Sequence, residues 1–475
     1  MKVKMILPAL TEAKSPYWRP IKYHLFPPLG LATLAGYFSP DDEIEIQDEH
    51  VEEIDTSDRP DLVVIQVYIT NARRAYELAD AYRRKGCFVC LGGLHVTSLP
   101  EEALAHADAV FLGPGEDTWS KFLLDFKRKE TQPIYQSKTR TLCNLPKIRR
   151  DLFKRHHYLV PNSLVISRGC PHHCDFCYKD AFFKGGRSFY TQPVEDVLCE
   201  IDSLPGKHLY FLDDHLFAKP DFITQVFAGM QGMQRVWQAA GTVASILQPG
   251  LMEQAAACGL RSLFIGFESV DIRNISSCNK MHNLNQDYIV AIRKLRDLGV
   301  MINASFVFGM DHDDPSIFAR TVDWALENGI QTATFHILTP YPGTALHQRL
   351  ATEGRITDLD WNHYDTRHAV FQPMQMSARQ LEEGYWQAYR DFYRFSSIWQ
   401  SAGIQGNTLD SLRHLAYVCG WKKMEPLWDW MIRMGALPIL LPLLETVLYG
   451  HHPQSPLVGN PTIPVNHELL KPLDV

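Results

Sequence analysis

Three cysteines lie within eight positions of the stretch RGCPHHCDFCYKD: Cys170, Cys174 and Cys177. Thiols grouped in this way bind zinc, form disulfides, act as redox pairs or hold iron–sulfur clusters. Structural zinc usually takes four ligands as two separated pairs, and no second pair with that spacing follows. His172 or His173 could add a fourth ligand, but the geometry within so short a loop would be strained. Three thiolates suit a cubane cluster better, with one iron left open to a small molecule.

The bulk composition is that of an ordinary globular chain. Of 475 residues, 45% are hydrophobic and 21% are charged, which allows roughly three domains of about 150 residues each. The net charge is -7 and like charges do not form blocks, so we expect no nucleic-acid partner. The apolar run in MKVKMILPAL is too short for a signal peptide and predicts a first β-strand. We therefore expect a cytoplasmic protein.

Ten cysteines are spread along the chain without the framework of a small disulfide-rich scaffold. In a reducing compartment clustered thiols bind metals or do chemistry, which removes the disulfide interpretation. Cys87 and Cys90 form a C-x-x-C pair, but they fall in a strand pattern whose alternation points them to opposite faces. We interpret these two as packing residues. Every cysteine outside the Cys170–Cys177 loop should be dispensable for a cluster.

Residues 1–135 alternate between strand-like and helix-like patterns. Near-continuous apolar strands joined by helices predict a parallel, doubly wound, Rossmann-like sheet. The predicted strands fall at 5–10, 43–47, 61–68, 87–91 and 109–112, and the predicted helices at 71–85 and 101–107. Such sheets bind ligands at the carboxyl ends of their strands, where the glycine-rich loops lie. These loops contain Gly92 and Gly93, and then Gly113 and Gly115.

A second series of strands and helices follows a polar, basic segment, residues 136–160, that we interpret as a linker. Six apolar segments predict a partial or full (β/α) barrel over residues 161–375. They are SLVIS, HLYFLDD, TVASI, SLFIGFES, INASFVFGM and TATFHIL, with helical patterns at 286–298 and 317–327. Residues 376–475 predict a helical, aromatic-rich C-terminal region. The predicted fold class is α/β, and the three cysteines follow the first barrel strand.

A CxxxCxxC loop after the first strand of a barrel resembles that of the radical S-adenosylmethionine (SAM) superfamily. Tyr178, after the third cysteine, matches the aromatic residue that is usual there. The resemblance implies a [4Fe-4S] cluster on Cys170, Cys174 and Cys177, whose fourth iron is chelated by the amino and carboxyl groups of SAM. One electron from an external low-potential donor then cleaves SAM to methionine and a 5′-deoxyadenosyl radical, which abstracts hydrogen from an unreactive C–H bond.

Three downstream motifs strengthen the resemblance. YFLDDHLFAKP resembles the segment that contacts SAM in cobalamin-containing members, which implies roles for Asp213 and Asp214; an ordinary strand-end turn is the alternative. In LFIGFES, Glu268 corresponds to the Glu that reaches the SAM ribose, and a buried unpaired carboxylate would cost several kcal/mol. NASFVFGMDHDD resembles the fifth-strand motif beside adenine, which implies roles for Asn303 and Gly309. The Pro-Gly that is common after the loop glycine is replaced by Met-Asp.

PPLGLATLAGYF, DLVVIQVYITNARRAYELA and LGGLHVTSLPEEAL together resemble the cobalamin-binding domain of B12-dependent radical SAM enzymes. In that case Gly92 and Gly93 let the backbone approach the flat macrocycle, and Gly113 and Gly115 its nucleotide tail. The D-x-H-x-x-G signature that supplies a lower cobalt ligand in other B12 enzymes is absent, and we interpret DEHVEE as an acidic turn at a strand end. His95 is a candidate lower ligand. A domain that no longer binds a corrinoid is the alternative.

These resemblances imply a cobalamin-dependent radical SAM C-methyltransferase that uses a 5′-deoxyadenosyl radical and methylcobalamin. A ring-forming enzyme of the anaerobic Mg-protoporphyrin ester cyclase type binds the same cofactors and is the alternative enzyme. A non-catalytic cobalamin sensor is the alternative of another class, which the intact cysteine motif disfavours.

The apolar run GALPILLPLLETVLY, residues 435–449, predicts a buried C-terminal helix. At about fifteen residues it is shorter than the roughly 20 needed to span a bilayer. A lipid-facing surface is the alternative, and it would give a membrane-associated protein with peripheral contact through residues 420–450. The tail favours a hydrophobic small-molecule or lipid substrate such as an isoprenoid, and hopanoid methylation is the family example.

Overall fold

The computed structural model describes residues 1–13, 24–284, 286–405, 408–424, 427–428, 430–431 and 434. Two six-stranded parallel sheets dominate this part of the chain, one on each side of the predicted linker. This architecture confirms the predicted α/β fold class. The apolar run at 435–449 lies outside the described residues. Among the helices that are described, none is long and apolar enough to cross a membrane.

The first sheet forms a Rossmann-like domain. Its strands are β1 (Lys2–Leu7), β2 (Glu43–Asp48), β3 (Leu62–Gln66), β4 (Phe88–Gly92), β5 (Ala109–Leu112) and β6 (Ile134–Gln136). Its helices are α1 (Leu29–Ala35), α2 (Ala72–Arg84), α3 (Leu94–Ser98), α4 (Pro100–Leu104) and α5 (Trp119–Arg128). The order across the sheet is β2-β1-β3-β4-β5-β6, and all pairs are parallel. This order places a topological switch point, where such sheets bind ligands, between β1 and β3.

Burial on both faces explains why these strands are nearly continuous apolar runs. In β3, Val64 packs in one hydrophobic core and Val63 in the core on the opposite face. Cys90 belongs to the same core as Val64, and Cys87 belongs to the same core as Val63. The two cysteines therefore pack on opposite faces of the sheet, as predicted. Helix α5 was not predicted, although the sequence carries its i, i+3, i+4 spacing of buried residues.

The strands after the linker are β7 (Ser163–Leu164), β8 (Ser167–Gly169), β9 (Phe189–Thr191), β10 (His208–Phe211), β11 (Val236–Gly241), β12 (Leu260–Glu268), β13 (Met301–Phe308) and β14 (Thr332–Ile337). The helices are α6 (Lys179–Phe182), α7 (Val194–Ser203), α8 (Pro220–Met230), α9 (Val243–Leu247), α10 (Leu251–Ala257), α11 (Ile272–Ser277), α12 (Tyr288–Asp297), α13 (Ile317–Glu327), α14 (Ala345–Thr352), α15 (Ala378–Phe392), α16 (Phe395–Gly403) and α17 (Thr408–Val418).

Six of these strands form the second parallel sheet, in the order β14-β13-β12-β11-β10-β7. Strands β8 and β9 form a separate antiparallel pair. Within the described residues β7 and β14 lie at the two edges and do not pair with each other. The second sheet is therefore a partial barrel, one of the two forms that the sequence predicts.

The prediction of a strand at TVASI is wrong. The strand β11 lies just before it, and residues 243–247 form α9. The Thr242 hydroxyl accepts a hydrogen bond from the Ser245 N–H at 3.2 Å, and the Ser245 hydroxyl accepts one from the Thr242 N–H at 3.1 Å. This reciprocal capping starts a helix with β-branched residues, which in sequence resemble a strand.

Helix α15 and the residue that directly follows it cover the free edge of β14 with two tyrosine hydroxyls. Tyr393 Oη accepts a hydrogen bond from the Ala333 N–H at 3.0 Å and donates one to the Ala333 carbonyl at 2.8 Å. Tyr389 Oη makes the same pair of bonds to Phe335, at 3.1 and 3.2 Å. These contacts satisfy backbone groups that an edge strand otherwise leaves exposed.

The second sheet has an apolar face covered by helices and a mixed concave face. In β10, Leu209 and Phe211 belong to the large core between the sheet and the helices. Because side chains alternate along a strand, the residues between them face the concave side. The residues of this concave face include Tyr210, Ala240, Phe264, Ser305 and Thr334.

Side-chain contacts join the domains, and two of them lie close to the proposed site. Arg168 in β8 forms an ion pair with Glu116, which follows β5, at 2.7 Å. Trp361 Nε1 donates a hydrogen bond to Glu102 of α4 at 3.3 Å. Because Arg168 lies two residues before Cys170, the first contact holds the carboxyl edge of the first sheet beside the three cysteines.

Candidate active site

The three cysteines lie in the connection between β8 and β9. Cys170 directly follows β8, and its N–H donates a hydrogen bond to the Ser188 carbonyl at 2.9 Å. Gly169 has a φ of 80°, and a Cβ there would overlap the Ser188 carbonyl. Cys174 is buried, and Cys170 and Cys177 are half-buried. We refer to residues 170–177 as the cysteine loop.

Backbone hydrogen bonds attach the cysteine loop to the carboxyl ends of the barrel strands. The Asp175 N–H donates to the Cys278 carbonyl at 3.1 Å, beyond β12, and the Asp175 carbonyl accepts from the Leu346 N–H at 2.9 Å, beyond β14. The Asn279 side chain donates to the His173 carbonyl at 2.8 Å. The loop is therefore fixed over the concave face of the sheet, as expected for the functional end of a barrel.

The three thiols are the metal-binding groups of the cysteine loop. Zinc bonds thiolates at about 2.3 Å, so the ligands of one ion must lie within about 4 Å of each other. In the described part of the chain, no group of three His, Cys, Asp or Glu side chains could hold one metal ion. The three thiols lie within one eight-residue loop, and burial raises the pKa of each of them. Three thiolates can hold three of the four irons of a [4Fe-4S] cluster.

Two lysines bring positive charge to the cysteine loop. Burial raises the pKa of the three thiols, whereas Lys179 and Lys280 act in the opposite direction. His173 is turned outward, since its side chain is exposed and lies 3.0 Å from Asp180. The charge balance suits an anionic group held by thiolates.

The two predicted aspartates have different roles. Asp213 is buried and accepts hydrogen bonds from the Ser167 N–H and hydroxyl and from the Ile166 N–H. These bonds hold the backbone that connects β7 to β8, so the predicted strand SLVIS is divided in two. Asp214 accepts a hydrogen bond from the Gly169 N–H at 2.9 Å and pairs with Lys179 at 2.9 Å. Asp214 alone faces the cysteine loop.

Asp213 should make the stability of the fold depend on pH. Burial raises its pKa from 3.8 to about 7, so the folded protein favours the protonated carboxyl. The stabilisation is fully present below about pH 4 and is lost as pH rises through about 7. We expect the free energy of unfolding to fall by roughly 2–3 kcal/mol between pH 5 and 8 because of this group. Urea titrations of the wild type and Asp213→Asn would check this, and equal slopes with pH would contradict it.

Glu268 is held by a buried ammonium. Its carboxylate pairs with Lys280, whose Nζ also donates to the Gly266 carbonyl at 3.0 Å. Glu268 has a φ of 65°, and the register between β12 and β13 shifts between Gly266 and Glu268. Backbone strain of this kind concentrates at functional sites. Lys280 was not predicted, because it lies twelve residues from Glu268 in a loop without a local pattern.

The rings of three histidines lie together at the cysteine loop. The ring of His172 stacks on that of His282 with centroids 3.8 Å apart and lies 5.4 Å from that of His215. Burial lowers the pKa of His215 to about 4 and that of His282 to about 3, and Lys280 acts in the same direction. These rings are therefore neutral at pH 7. The sequence signal for His215 was its position next to Asp214, and His282 had none.

The two fifth-strand residues lie at opposite ends of β13. Asn303 lies near the amino end, where its amide donates to the Ser262 hydroxyl at 2.7 Å and accepts from Thr332. The structure therefore does not bring Asn303 to the cysteine loop, because its side chain is part of a hydrogen-bond network across the strands. Gly309 lies at the carboxyl end with a φ of 97°, and its N–H donates to Asp313 at 2.9 Å.

The glycines of the first domain lie at the carboxyl edge, where two of them allow close approach within the chain. A Cβ on Gly93 (φ 123°) would lie 2.5 Å from the Val67 carbonyl. A Cβ on Gly113 (φ 77°) would lie 3.3 Å from the Phe182 carbonyl of α6, in the second domain. Gly115 would make only ordinary contacts. Contact of these residues with a corrinoid remains a prediction.

His95 occupies a packed position at the domain boundary. It lies three residues after Gly92, is 0% exposed, and has its Nε2 2.9 Å from Glu102. The ring of Trp361, from beyond the barrel, lies 5.4 Å away at an angle of 72°. Burial lowers the pKa of His95. One ring nitrogen is thus already engaged, and a role as lower cobalt ligand stays a prediction.

The carboxyl edge of the first sheet faces the cysteine loop. Asp48 ends β2 and accepts a hydrogen bond from the His50 N–H at 2.9 Å, in agreement with a strand-end turn at DEHVEE. Tyr68 follows β3, and its hydroxyl accepts from Gln66 at 2.9 Å. Burial raises the pKa of Tyr68, and Arg168 of the second domain lowers it. Tyr68, beside the switch point, and Glu116, after β5, therefore both lie near Arg168, which is two residues before Cys170.

A Rossmann-like domain beside a partial barrel with a three-thiol loop defines a class of two-domain cofactor enzymes. Family models match both parts: the B12 binding domain over residues 23–123 and the radical SAM superfamily over residues 164–343. The chain belongs to the cobalamin-dependent radical SAM enzymes. Its cofactors are a [4Fe-4S] cluster, SAM and cobalamin, which confirms those predicted from the sequence.

Individual proteins of known name agree with this assignment. The chain is 29% identical over 363 residues to bacteriochlorophyllide d C-12(1)-methyltransferase of Chlorobaculum tepidum, covering 74% of this chain and 78% of that protein. It is 24% identical to hopanoid C-2 methylase of Rhodopseudomonas palustris, covering 70% and 66% of the two chains. The fold is similar to that of the radical SAM methyltransferase TsrM of Kitasatospora setae, with a TM-score of 0.59 at 16% identity, covering 82% and 81%.

Proposed function

We propose that this enzyme is a C-methyltransferase that acts on an unactivated carbon of a hydrophobic substrate through a 5′-deoxyadenosyl radical. The observation that carries the proposal is the 2.7 Å ion pair between Arg168 and Glu116, which sets the cysteine loop against the edge of the cobalamin-binding domain. Methyl transfer to a carbon radical needs both cofactors to face one substrate. The methyltransferases among the relatives support this reaction over ring formation.

The residues of the site fit the proposed reaction. The three cysteines would hold the cluster, Glu268 and Lys280 would contact SAM, and the loops after β3, β4 and β5 would hold cobalamin. When bound, these groups supply a hydrogen-abstracting radical and a transferable methyl group. The chain contributes placement, because Asp214 fixes the start of the cysteine loop through Gly169.

The concave face of the second sheet supports a large, mostly apolar substrate with a polar group. Phe264 and Ala240 offer apolar surface, and they are neighbours across β11 and β12. Ser305 and Thr334 are likewise neighbours across β13 and β14, and their hydroxyls make no hydrogen bond within the described residues. Two unused hydroxyls beside apolar surface suit a substrate with an oxygen function on a hydrocarbon or macrocyclic frame. Relatives named for bacteriochlorophyllide and hopanoid methylation are consistent with this class.

An anaerobic product assay tests the proposal. The protein would be reconstituted with iron, sulfide and cobalamin, and supplied with SAM, dithionite and either a bacteriochlorophyllide or a hopanoid. We expect S-adenosylhomocysteine and 5′-deoxyadenosine to form together, with a methylated product found by mass spectrometry. If the substrate is deuterated at the carbon that is methylated, deuterium should appear in 5′-deoxyadenosine. Formation of 5′-deoxyadenosine with a new ring and no S-adenosylhomocysteine would overturn the proposal in favour of cyclase chemistry.

A further inference from the structure

A short surface loop lies directly behind the first cluster ligand. We call residues 184–187, KGGR, the basic loop. It leads into Ser188, whose carbonyl accepts the hydrogen bond from the Cys170 N–H at 2.9 Å. The residues of the basic loop are exposed. One hydrogen bond therefore separates an exposed segment of backbone from the backbone of a cysteine that would hold the cluster.

The basic loop is held in place from the linker. Arg140, which is 2% exposed, donates to the Lys184 carbonyl at 2.8 Å, to the Arg187 carbonyl at 2.9 Å and to the Phe183 carbonyl. Gly186 lies against the same guanidinium, since a Cβ there would lie 2.7 Å from Arg140 Nε. The carbonyls thus point inward to Arg140. The backbone of the loop is ordered by a buried group and does not depend on its own side chains.

The charge on this surface is positive, although the whole chain carries -7. Lys138, Lys184 and Arg187 are exposed, and no ion pair to any of them occurs within the described residues. Acidic neighbours are already engaged: Glu116 pairs with Arg168 at 2.7 Å, and Asp117 accepts hydrogen bonds from three backbone N–H groups of residues 138–140. Asp180 lies 3.0 Å from His173. Three exposed cations without an ion pair in the described residues therefore lie on the basic loop and on the segment of Arg140 that holds it.

We propose that Lys138, Lys184 and Arg187 form the docking surface for an acidic one-electron carrier protein with a low-potential flavin or iron–sulfur centre. The inference rests on the proposed function, which consumes an electron at the cluster. On docking, the reduced carrier is oxidised by one electron and the cluster is reduced by one, while no bond forms and no atom is transferred. Charge complementarity of this kind raises the association rate and sets orientation. The Ser188–Cys170 hydrogen bond gives a short path from the surface to the thiolate.

A charge-reversal pair tests the surface, with flavodoxin hydroquinone as the probe. Lys184→Glu with Arg187→Glu is compared with Lys127→Glu with Arg128→Glu, an equal change in net charge on exposed residues of the last turn of α5. For K184E/R187E we expect flavodoxin affinity, measured by calorimetry, and the rate of cluster bleaching in stopped flow to fall about tenfold or more at low salt. The difference should shrink at high salt. The control variant should behave as the wild type.

Reduction by dithionite provides the decisive comparison, because this small reductant needs no docking surface. K184E/R187E should keep its iron content and bleach with dithionite at the wild-type rate. If the variant binds flavodoxin as tightly as the wild type, or if the wild type does not bind flavodoxin at all, the proposed surface is wrong. Loss of dithionite reduction or of iron would also overturn it, since the two residues would then support the cluster itself. These measurements use no substrate, so they stand or fall apart from the methyltransferase proposal.

Discussion

Replacement of Cys174 by Ala should remove the cluster and lower 5′-deoxyadenosine formation by about a thousandfold or more. The side chain is buried beside the other two thiols, and a cubane held by two cysteines lacks a ligand for a second iron. Iron and sulfide analysis after anaerobic reconstitution, together with the charge-transfer absorption of the cluster, would measure the loss. Cys170→Ala and Cys177→Ala should give the same result.

The matched control is Cys278→Ala. This thiol is half-buried and close enough to Cys174 to act on its pKa, but its sulfur donates to the Ile275 carbonyl at 3.6 Å. The contact with the cysteine loop runs through the Cys278 backbone carbonyl, which alanine retains. We expect full iron content in this variant. Wild-type iron in Cys174→Ala, or loss of iron in Cys278→Ala, would refute the ligand assignment.

Replacement of Lys280 by Met should destabilise the protein and impair SAM binding. The ammonium and the Glu268 carboxylate are both buried, with side chains 7% and 11% exposed. Removing one partner leaves the other charge buried and uncompensated, which costs roughly 3–5 kcal/mol in such pairs. Urea unfolding of the protein without cofactors would measure the loss. Calorimetric titration with SAM should show affinity lowered by about tenfold or more.

A second substitution separates stability from function at this pair. Glu268→Gln combined with Lys280→Met removes both charges, so most of the lost unfolding free energy should return. SAM cleavage should remain low, because neither side chain of the proposed contact is present. If the double variant is no more stable than Lys280→Met alone, the buried pair is not the cause of the destabilisation. If its SAM cleavage equals that of the wild type, neither residue contacts SAM.

The sequence predicted most reliably what depends on neighbours in the chain. The cysteine loop could be found because its ligands lie within eight residues, and the first sheet because burial on both faces leaves continuous apolar runs. The prediction of a strand at TVASI failed because the Thr242 hydroxyl caps a helix, whereas β-branched residues such as Thr242 are typical of strands. Helix starts and strands share residue types, and only the hydrogen-bond partner distinguishes them.

Features that depend on distant contacts could not be predicted. Asp213 and Asp214 are adjacent and chemically equal, and only the fold shows that one holds backbone while the other faces the thiols. Asn303 matched a motif, yet its side chain is bound to Ser262, 41 residues earlier in the chain. Lys280 has no pattern around it and gains its role from a partner in β12.

The hydroxyls of Tyr389 and Tyr393 limit how far this chain can be shortened from its C-terminal side. They bond both the N–H and the carbonyl of residues in β14, so α15 acts in place of a seventh strand. A fragment that stops at the predicted end of the barrel, residue 375, would keep all six strands and lose both hydroxyls. The backbone N–H and carbonyl groups at the edge of β14 would then be free to pair with a strand of another copy. Such edge-to-edge pairing is a common start of aggregation. The start of the helical C-terminal region thus protects the barrel from aggregation. A shortened protein that contains the barrel should therefore extend at least through residue 393.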